Sequence, residues 1–202
     1  ERYYRGGSLK FLLLLIPTVS ISFFSGHFQI SLYFFLALIS YILFRAFIKR
    51  NIRSAVFLLT SVVVGLIIAA PQLFPSIMLY KYSIRSELFQ VGETIPFQYL
   101  VTVAAPDFFG NPVTRNDWFG HYAEWAGFIG ILPLLLAIIA IWKVRRKVVV
   151  FFAALGIFSL TLAINSPISE LFVSLKIPVL STSALSRIIV LFSFSFAVLA
   201  GF

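Results

Sequence analysis

The chain consists of long apolar runs separated by short basic or polar stretches, and this pattern restricts the fold more than any single motif. Six runs approach the length of a bilayer crossing: Leu9 to Phe24, Ile30 to Ile48, Ala55 to Leu79, Gly127 to Trp142, Val148 to Ile164 and Ile188 to Phe202. A hydrocarbon core of about 30 Å takes about 20 helical residues, so each run reads as a membrane-crossing helix. Stretches such as Phe11 to Ile16 and Leu132 to Trp142 lack the apolar-polar alternation of a transmembrane barrel. With 60% hydrophobic and 11% charged residues and a mean hydropathy of +1.01, too little polar surface remains to clothe a soluble globule. The expected fold is all-α: a polytopic transmembrane helical bundle of about six spans, with residues 1–202 part of a single transmembrane domain. The first and fourth runs are short, and the first reads as a tilted or re-entrant segment whose Lys10 snorkels to the headgroups. The sequence opens Glu1-Arg2-Tyr3-Tyr4-Arg5, without signal-peptide architecture, and stops inside an apolar run at Phe202. It is therefore expected to be a fragment of a larger membrane protein.

Charge sets the orientation. Arg2, Arg5 and Lys10, then Arg45, Lys49, Arg50 and Arg53, then Lys143, Arg145, Arg146 and Lys147 collect on one side of six alternating spans. Lys81, Arg85, Arg115, Lys176 and Arg187 fall on the other. By the positive-inside rule the dense clusters are cytoplasmic. Carboxylates sort the opposite way, with only Glu1 inside. The net charge of +9 is accounted for by these short turns, so nucleic acid is not expected as a partner. The absence of cysteine discriminates between no redox compartments.

Two loops fall outside, about 80–126 and 165–187, and they are long enough to carry chemistry. In the first, Phe97 to Ala105 reads as a helix lying in the interface. Pro106-Asp107-Phe108-Phe109-Gly110-Asn111-Pro112 is turn chemistry, in which Asp107 can cap the backbone. Trp118, Phe119, Tyr122 and Trp125 then surround Arg115, Asp117, His121 and Glu124. This mixture reads either as an aromatic belt at headgroup level or as a sugar platform, with rings stacking on pyranose faces and carboxylates accepting hydroxyl protons. On a helix, Asp117, His121 and Glu124 would share one face. Gly120 and Gly127 disfavour that helix, and the set is a poor zinc signature, so no metal is assigned and no cofactor is expected. His121 reads as a general acid or base, or as a hydrogen-bonding loop residue.

Gly26-His27-Phe28-Gln29 forms the outer turn between the first two runs and would present His27 and Gln29 to the outer loops, unless it is an ordinary polar turn. Pro71-Gln72-Leu73-Phe74-Pro75 interrupts the third run near its outer end, as is tolerated where backbone lines a cavity.

Gly26-His27-x-Gln29 with Leu32-Tyr33, Ala70-Pro71-Gln72, Pro106 to Pro112, Glu124-x-x-Gly127-Phe128-Ile129-Gly130 through Pro133 to Ala137, and Ser186-Arg187 leading into Phe192 to Gly201 together resemble the YfhO-like bacterial membrane proteins. The series covers most of the chain in order and spacing. The resemblance implies a GT-C-like architecture in the bacterial plasma membrane. It also implies a glycosyltransferase activity that moves a sugar from a polyprenyl-phosphate carrier to a cell-envelope glycan or protein acceptor outside the membrane. Such enzymes hold an Asp or Glu base in their first outer loop, which this reading places upstream of Glu1, so no catalytic residue is named here.

A lipid-linked phosphosugar needs an apolar groove, a cation at the interface and a polar outer cavity, and no Gly-rich phosphate loop is required or present. Arg187 is the preferred phosphate ligand: it follows the polar stretch Ser181 to Ser186 and opens the last run, where a helix start and a planar guanidinium converge on one anion. The alternative is that Arg187 simply snorkels to lipid. Arg115 and Arg85 are weaker candidates in mid-loop. A lipid or polysaccharide transporter or flippase and a non-catalytic membrane assembly subunit remain the competing functions.

Overall fold

The computed structural model describes residues 1–84, 94–113 and 120–202. Among these residues the regular structure is helical, apart from one isolated parallel bridge between Ile95 and Ile164. The chain divides into two compact units, Glu1–Ser86 and Glu87–Phe202.

The first unit begins with a short helix, α1 (Arg2–Gly6), followed by α2 (Leu9–Phe24), α3 (Phe28–Lys49), α4 (Ile52–Ile68) and α5 (Ala70–Lys81). Local chemistry accounts for the ends. His27 caps α3 by accepting the Ile30 N–H at its Nδ1, Arg50 closes the same helix in the left-handed region at φ 51°, and Asn51 caps α4 through the Ser54 N–H. Between α4 and α5 the chain turns by 70° at Ala69. Pro71 and Pro75 have no N–H to offer the carbonyls four residues back, so the third apolar run cannot continue as one rod. Helix α2 lies against α4 at Gly65, where a Cβ would meet the Ile16 carbonyl and the Val19 Cβ at 2.9 Å each. The Ser20 hydroxyl donates to the Gly65 carbonyl at 2.9 Å. A small residue and an interhelical hydroxyl bond are what close helix packing inside a membrane uses. Around this crossing Leu12, Val19, Phe23, Ile42, Leu58 and Val62 form the core.

The second unit contains α6 (Ile131–Lys143), α7 (Lys147–Ala163), α8 (Pro167–Ser174) and α9 (Ile189–Ala200). Helix α9 packs on both α6 and α7, and Ile189, Leu191, Phe192, Phe196 and Leu199 are buried along it. At the α7–α9 crossing Gly156 again removes a side chain: a Cβ there would stand 2.9 Å from the Phe196 ring. Ser159 and Ser195 are wholly buried beside it. Helix α8, unforeseen in the loop read over about 165–187, is started by Pro167 and by a reciprocal cap between Ser166 and Ser169.

All six expected runs are helical, with α6 and α9 shorter than the runs that predicted them and the third run broken in two. Among the described residues only α3, with 22 residues or about 33 Å, is by itself long and apolar enough to cross a bilayer, and the bent α4–α5 pair would make a second crossing. Helix α6 starts at Ile131 rather than Gly127 because Gly130 sits at φ 97°, outside helical space. Its 13 residues reach only about 20 Å. Large apolar side chains cover the exterior, including Leu13, Phe47 and Ile67 in the first unit and Leu132, Val150 and Ile157 in the second, each more than half exposed. Water does not favour such surfaces, and they support membrane association.

Candidate functional site

The longer of the two loops expected outside is anchored at its start in the second unit. The Ile95 N–H donates to the Ala163 carbonyl, and its own carbonyl accepts the Asn165 N–H, both at 2.8 Å, which ties the loop to the end of α7. Phe97–Val103 then forms a 3-10 helix that buries Tyr99 and Thr102 and leaves Phe97 outside. The expected interfacial helix is thus the tighter kind. In the Pro-rich turn that follows, the Gly110 N–H reaches the Asp107 carbonyl at 2.9 Å, Gly110 takes φ 95°, and Asn111 accepts the Val113 N–H at 3.0 Å. The side chain of Asp107 does not cap this turn. It accepts the Tyr122 hydroxyl at 2.5 Å, and this hydrogen bond holds the Tyr122 pKa above its ordinary value.

The aromatic rings of the loop are occupied with one another. Tyr99 stacks on Phe109 with centroids 5.0 Å apart, and meets Trp125 edge to face at 4.9 Å. The His121 ring lies against Trp125 at 5.4 Å. Gly120, at φ 91°, brings its backbone so close to the Trp125 ring that a Cβ would overlap it. Trp125 is only 8% exposed, so its face is closed to a pyranose and in this conformation it is a packing residue, while Trp118 and Phe119 of the expected platform lie outside the described residues. What remains between Tyr99, Thr102, Pro106, Tyr122, Trp125 and Phe128 is a cavity of about 20 Å³, room for about one water.

From His121 to Trp125 the backbone makes one hydrogen-bonded turn, with the Trp125 N–H on the His121 carbonyl at 3.0 Å, and not the helix face considered for Asp117, His121 and Glu124. Asp117 and Arg115, like Arg85, Trp118 and Phe119, lie outside the described residues. Glu124 turns elsewhere: its Oε1 accepts from Arg187 Nη2 at 2.6 Å across 63 residues of sequence. Arg187 sits in the 3-10 turn Leu185–Ile188, which runs directly into α9, so it does stand at a helix entry. Its side chain is 28% exposed and that of Glu124 43%. The preceding polar stretch is not an open ligand surface, since Ser181 and Ser186 are each 1% exposed.

No protein-family model, curated protein or solved structure matches the chain. The chemistry of the site therefore rests on its own residues. In the second unit these are a cation at a helix entry held by a carboxylate, and a half-buried tyrosine whose hydroxyl is bonded to a second, exposed carboxylate.

The first unit places the other expected pair apart in role. His27 is exposed and spends its Nδ1 on the α3 cap, whereas Gln29 is buried and donates to the Tyr33 hydroxyl at 2.7 Å. Gln29 therefore is not presented outward by the turn, because one residue into a helix the side chain already points to the packed face. Sequence reasoning missed a different group. Arg45, read only as one of the cytoplasmic basic residues, is 5% exposed. It donates from Nη2 to Glu1 Oε1 at 2.9 Å, and the other oxygen of Glu1 accepts from Tyr41 at 2.8 Å. Burial alone would raise the Glu1 pKa, but the hydrogen bonds from Tyr41 and Arg5 and the charge of Arg45 outweigh it, and the carboxyl is held below its ordinary value. Arg45 Nε is buried without a hydrogen-bond partner among the described residues. The available signal was an arginine set between Phe44 and Ala46-Phe47, still inside the apolar run.

Proposed function

We propose that the chain forms part of a polytopic bacterial plasma-membrane glycosyltransferase of the GT-C type, moving a sugar from a polyprenyl-phosphate carrier to a glycan or protein acceptor outside the membrane. The reading takes about six crossings: α2, α3, the bent α4–α5 pair, α6, α7, and the final turn with α9. Short helices cross by local thinning of the bilayer and snorkelling of flanking residues. The sorting of lysines and arginines supports the orientation, and the YfhO-like series of motifs supports the activity.

The observation that carries the reading is Arg187 at the entry to α9, held at 2.6 Å by Glu124 from the loop richest in polar and aromatic groups. In the proposed transfer the bond from the anomeric carbon to the carrier phosphate breaks and a bond from an acceptor oxygen forms. The acceptor loses its proton, and the carrier keeps the bonding electrons as added negative charge on its phosphate. A guanidinium at a helix start is suited to that developing charge. The Tyr122–Asp107 pair, at the loop edge, offers a hydroxyl and a carboxylate to sugar hydroxyls. No residue of this chain is assigned as the base.

The 70° break between α4 and α5 is the one observation that favours transport, since transporters line their sites with broken helices. Full-length protein in liposomes containing a polyprenyl carrier loaded with radiolabelled sugar separates the readings. Label on an external acceptor, lost in Arg187→Ala, is the expected result. Carrier that crosses the bilayer with its sugar still attached would establish transport instead, and neither outcome would leave a non-catalytic assembly role.

A further inference from the structure

The contact between Glu1 and Arg45 brings the start of α1 and the end of α3 to the same end of the first unit. Between α1, α2, α3 and α4 at that end lies a cavity of about 310 Å³, at the lower edge of the roughly 300–1,000 Å³ usual for ligand sites. Its walls have a direction. Phe11 and Leu15 are one turn apart on α2, Leu38 and Ile42 one turn apart on α3, and Leu58 completes the lining from α4. The apolar slot therefore runs along the helices for about 6 Å, the direction in which an acyl chain lies in a bilayer.

The rim has the opposite character. Arg2 lines the cavity, is exposed, and makes no hydrogen bond, ion pair or ring contact with the described residues. Lys10 Nζ stands 5.2 Å from the centroid of the Phe11 ring. Glu1, the one carboxylate of the group, is already engaged: Arg5 and Arg45 share its Oε1 and Tyr41 holds its Oε2. Arg5 and Arg45 thus already answer the one carboxylate, and the charges of Arg2, on the cavity lining, and Lys10, beside Phe11, are in excess of it. A slot for hydrocarbon that opens at a cationic rim fits a ligand with an acyl chain and an anionic head.

From this juxtaposition we infer that the basic end of the first unit is a binding site for an anionic phospholipid, with one acyl chain between α2 and α3 and the headgroup phosphate on Arg2. The site is separate from sugar transfer and requires only that the first unit lie in a membrane. A zwitterionic lipid offers the same chain but cancels the phosphate charge beside the rim, so headgroup charge decides occupancy.

Full-length protein, delipidated in detergent, is titrated with phosphatidylglycerol or with phosphatidylcholine of identical chains. Retained lipid is counted by native mass spectrometry, and thermal unfolding is followed in parallel. Phosphatidylglycerol is expected to be retained in preference and to raise the unfolding temperature. Arg2→Gln, at an exposed position where folding is not at stake, should weaken phosphatidylglycerol by about fivefold and leave phosphatidylcholine unchanged. Leu38→Trp, which fills the slot, should reduce retention of both. Equal retention of the two lipids, or an Arg2→Gln variant that binds like the parent, would overturn the inference. So would a parent protein that takes up no lipid, as when another segment of the chain fills the slot, or one in which polyprenyl phosphate displaces phosphatidylglycerol at lower concentration.

Discussion

Replacing Glu124 by Gln separates two roles for Arg187, as a holder of the loop and as a ligand for carrier phosphate. The pair is a single contact at 2.6 Å between side chains 28% and 43% exposed, and such a pair contributes only about 0.2–1 kcal/mol to folding. In a chain of this size that corresponds to a fall in unfolding temperature of at most about 4 °C. The effect on carrier binding has the other sign. A carboxylate and a phosphate sharing one guanidinium stand about 5 Å apart and repel by about 0.8 kcal/mol in water or about 3 kcal/mol at an effective dielectric of 20. Partial exposure places the repulsion at about 1–2 kcal/mol, or about 5- to 30-fold in Kd. Glu124→Gln should therefore tighten binding of the carrier by that factor; binding gained alike in the ground and transition states lowers KM without raising kcat. Binding of a short-chain polyprenyl phosphate to full-length protein in nanodiscs, at two salt concentrations, measures it; the gain should shrink with salt. An affinity within twofold of the parent, or a fall in unfolding temperature beyond about 10 °C with no gain in binding, would refute the reasoning and leave the pair a structural tie.

The orientation can be read with single cysteines, since the chain has none: Asn111→Cys should react with an impermeant thiol reagent from outside and Arg146→Cys only after permeabilisation, and the reverse pattern would invert the assignment of both loops. Gly156→Val should cost about 1–3 kcal/mol by overpacking, because its Cβ would stand 2.9 Å from Phe196 and 3.1 Å from Ser195. Gly6→Val meets nothing within 4 Å and serves as the control, so equal unfolding temperatures for the two would contradict the α7–α9 packing. The Tyr122–Asp107 bond raises the Tyr122 pKa. Its contribution is fully present below the ordinary tyrosine value of about 10 and is lost as pH rises through the raised folded value. An absorbance titration of tyrosinate should show that Tyr122→Phe removes a late-titrating group, and loss of one with an ordinary pKa would show that the bond does not form in solution.

How much was legible in advance follows from what each feature depends on. Leu9–Phe24 is helical over the run read from hydropathy, and the break ahead of Pro71 could be anticipated, since both depend on residues within a turn or two of each other. The shortening of α6 was less legible: Gly130 is one of eleven glycines, and only the fold shows which of them take a positive φ. The candidate site was legible as a list of residue types and not as an arrangement. Trp125 carries the same sign of signal for a belt, a platform or a core, and its burial under Tyr99, His121 and Gly120 is decided by neighbours up to 26 residues away.

The sequence by itself determined that the chain is helical and roughly where its longer helices lie, because hydropathy and proline act locally and add along the chain. Tertiary structure alone decided that Arg187 is held by Glu124 from 63 residues away, that Arg45 is buried against Glu1 and Tyr41 rather than solvated, and that Gln29 turns inward. The energy of a charge or a polar group depends on the dielectric and the partners around it, and those are supplied by segments distant in sequence that only packing brings together.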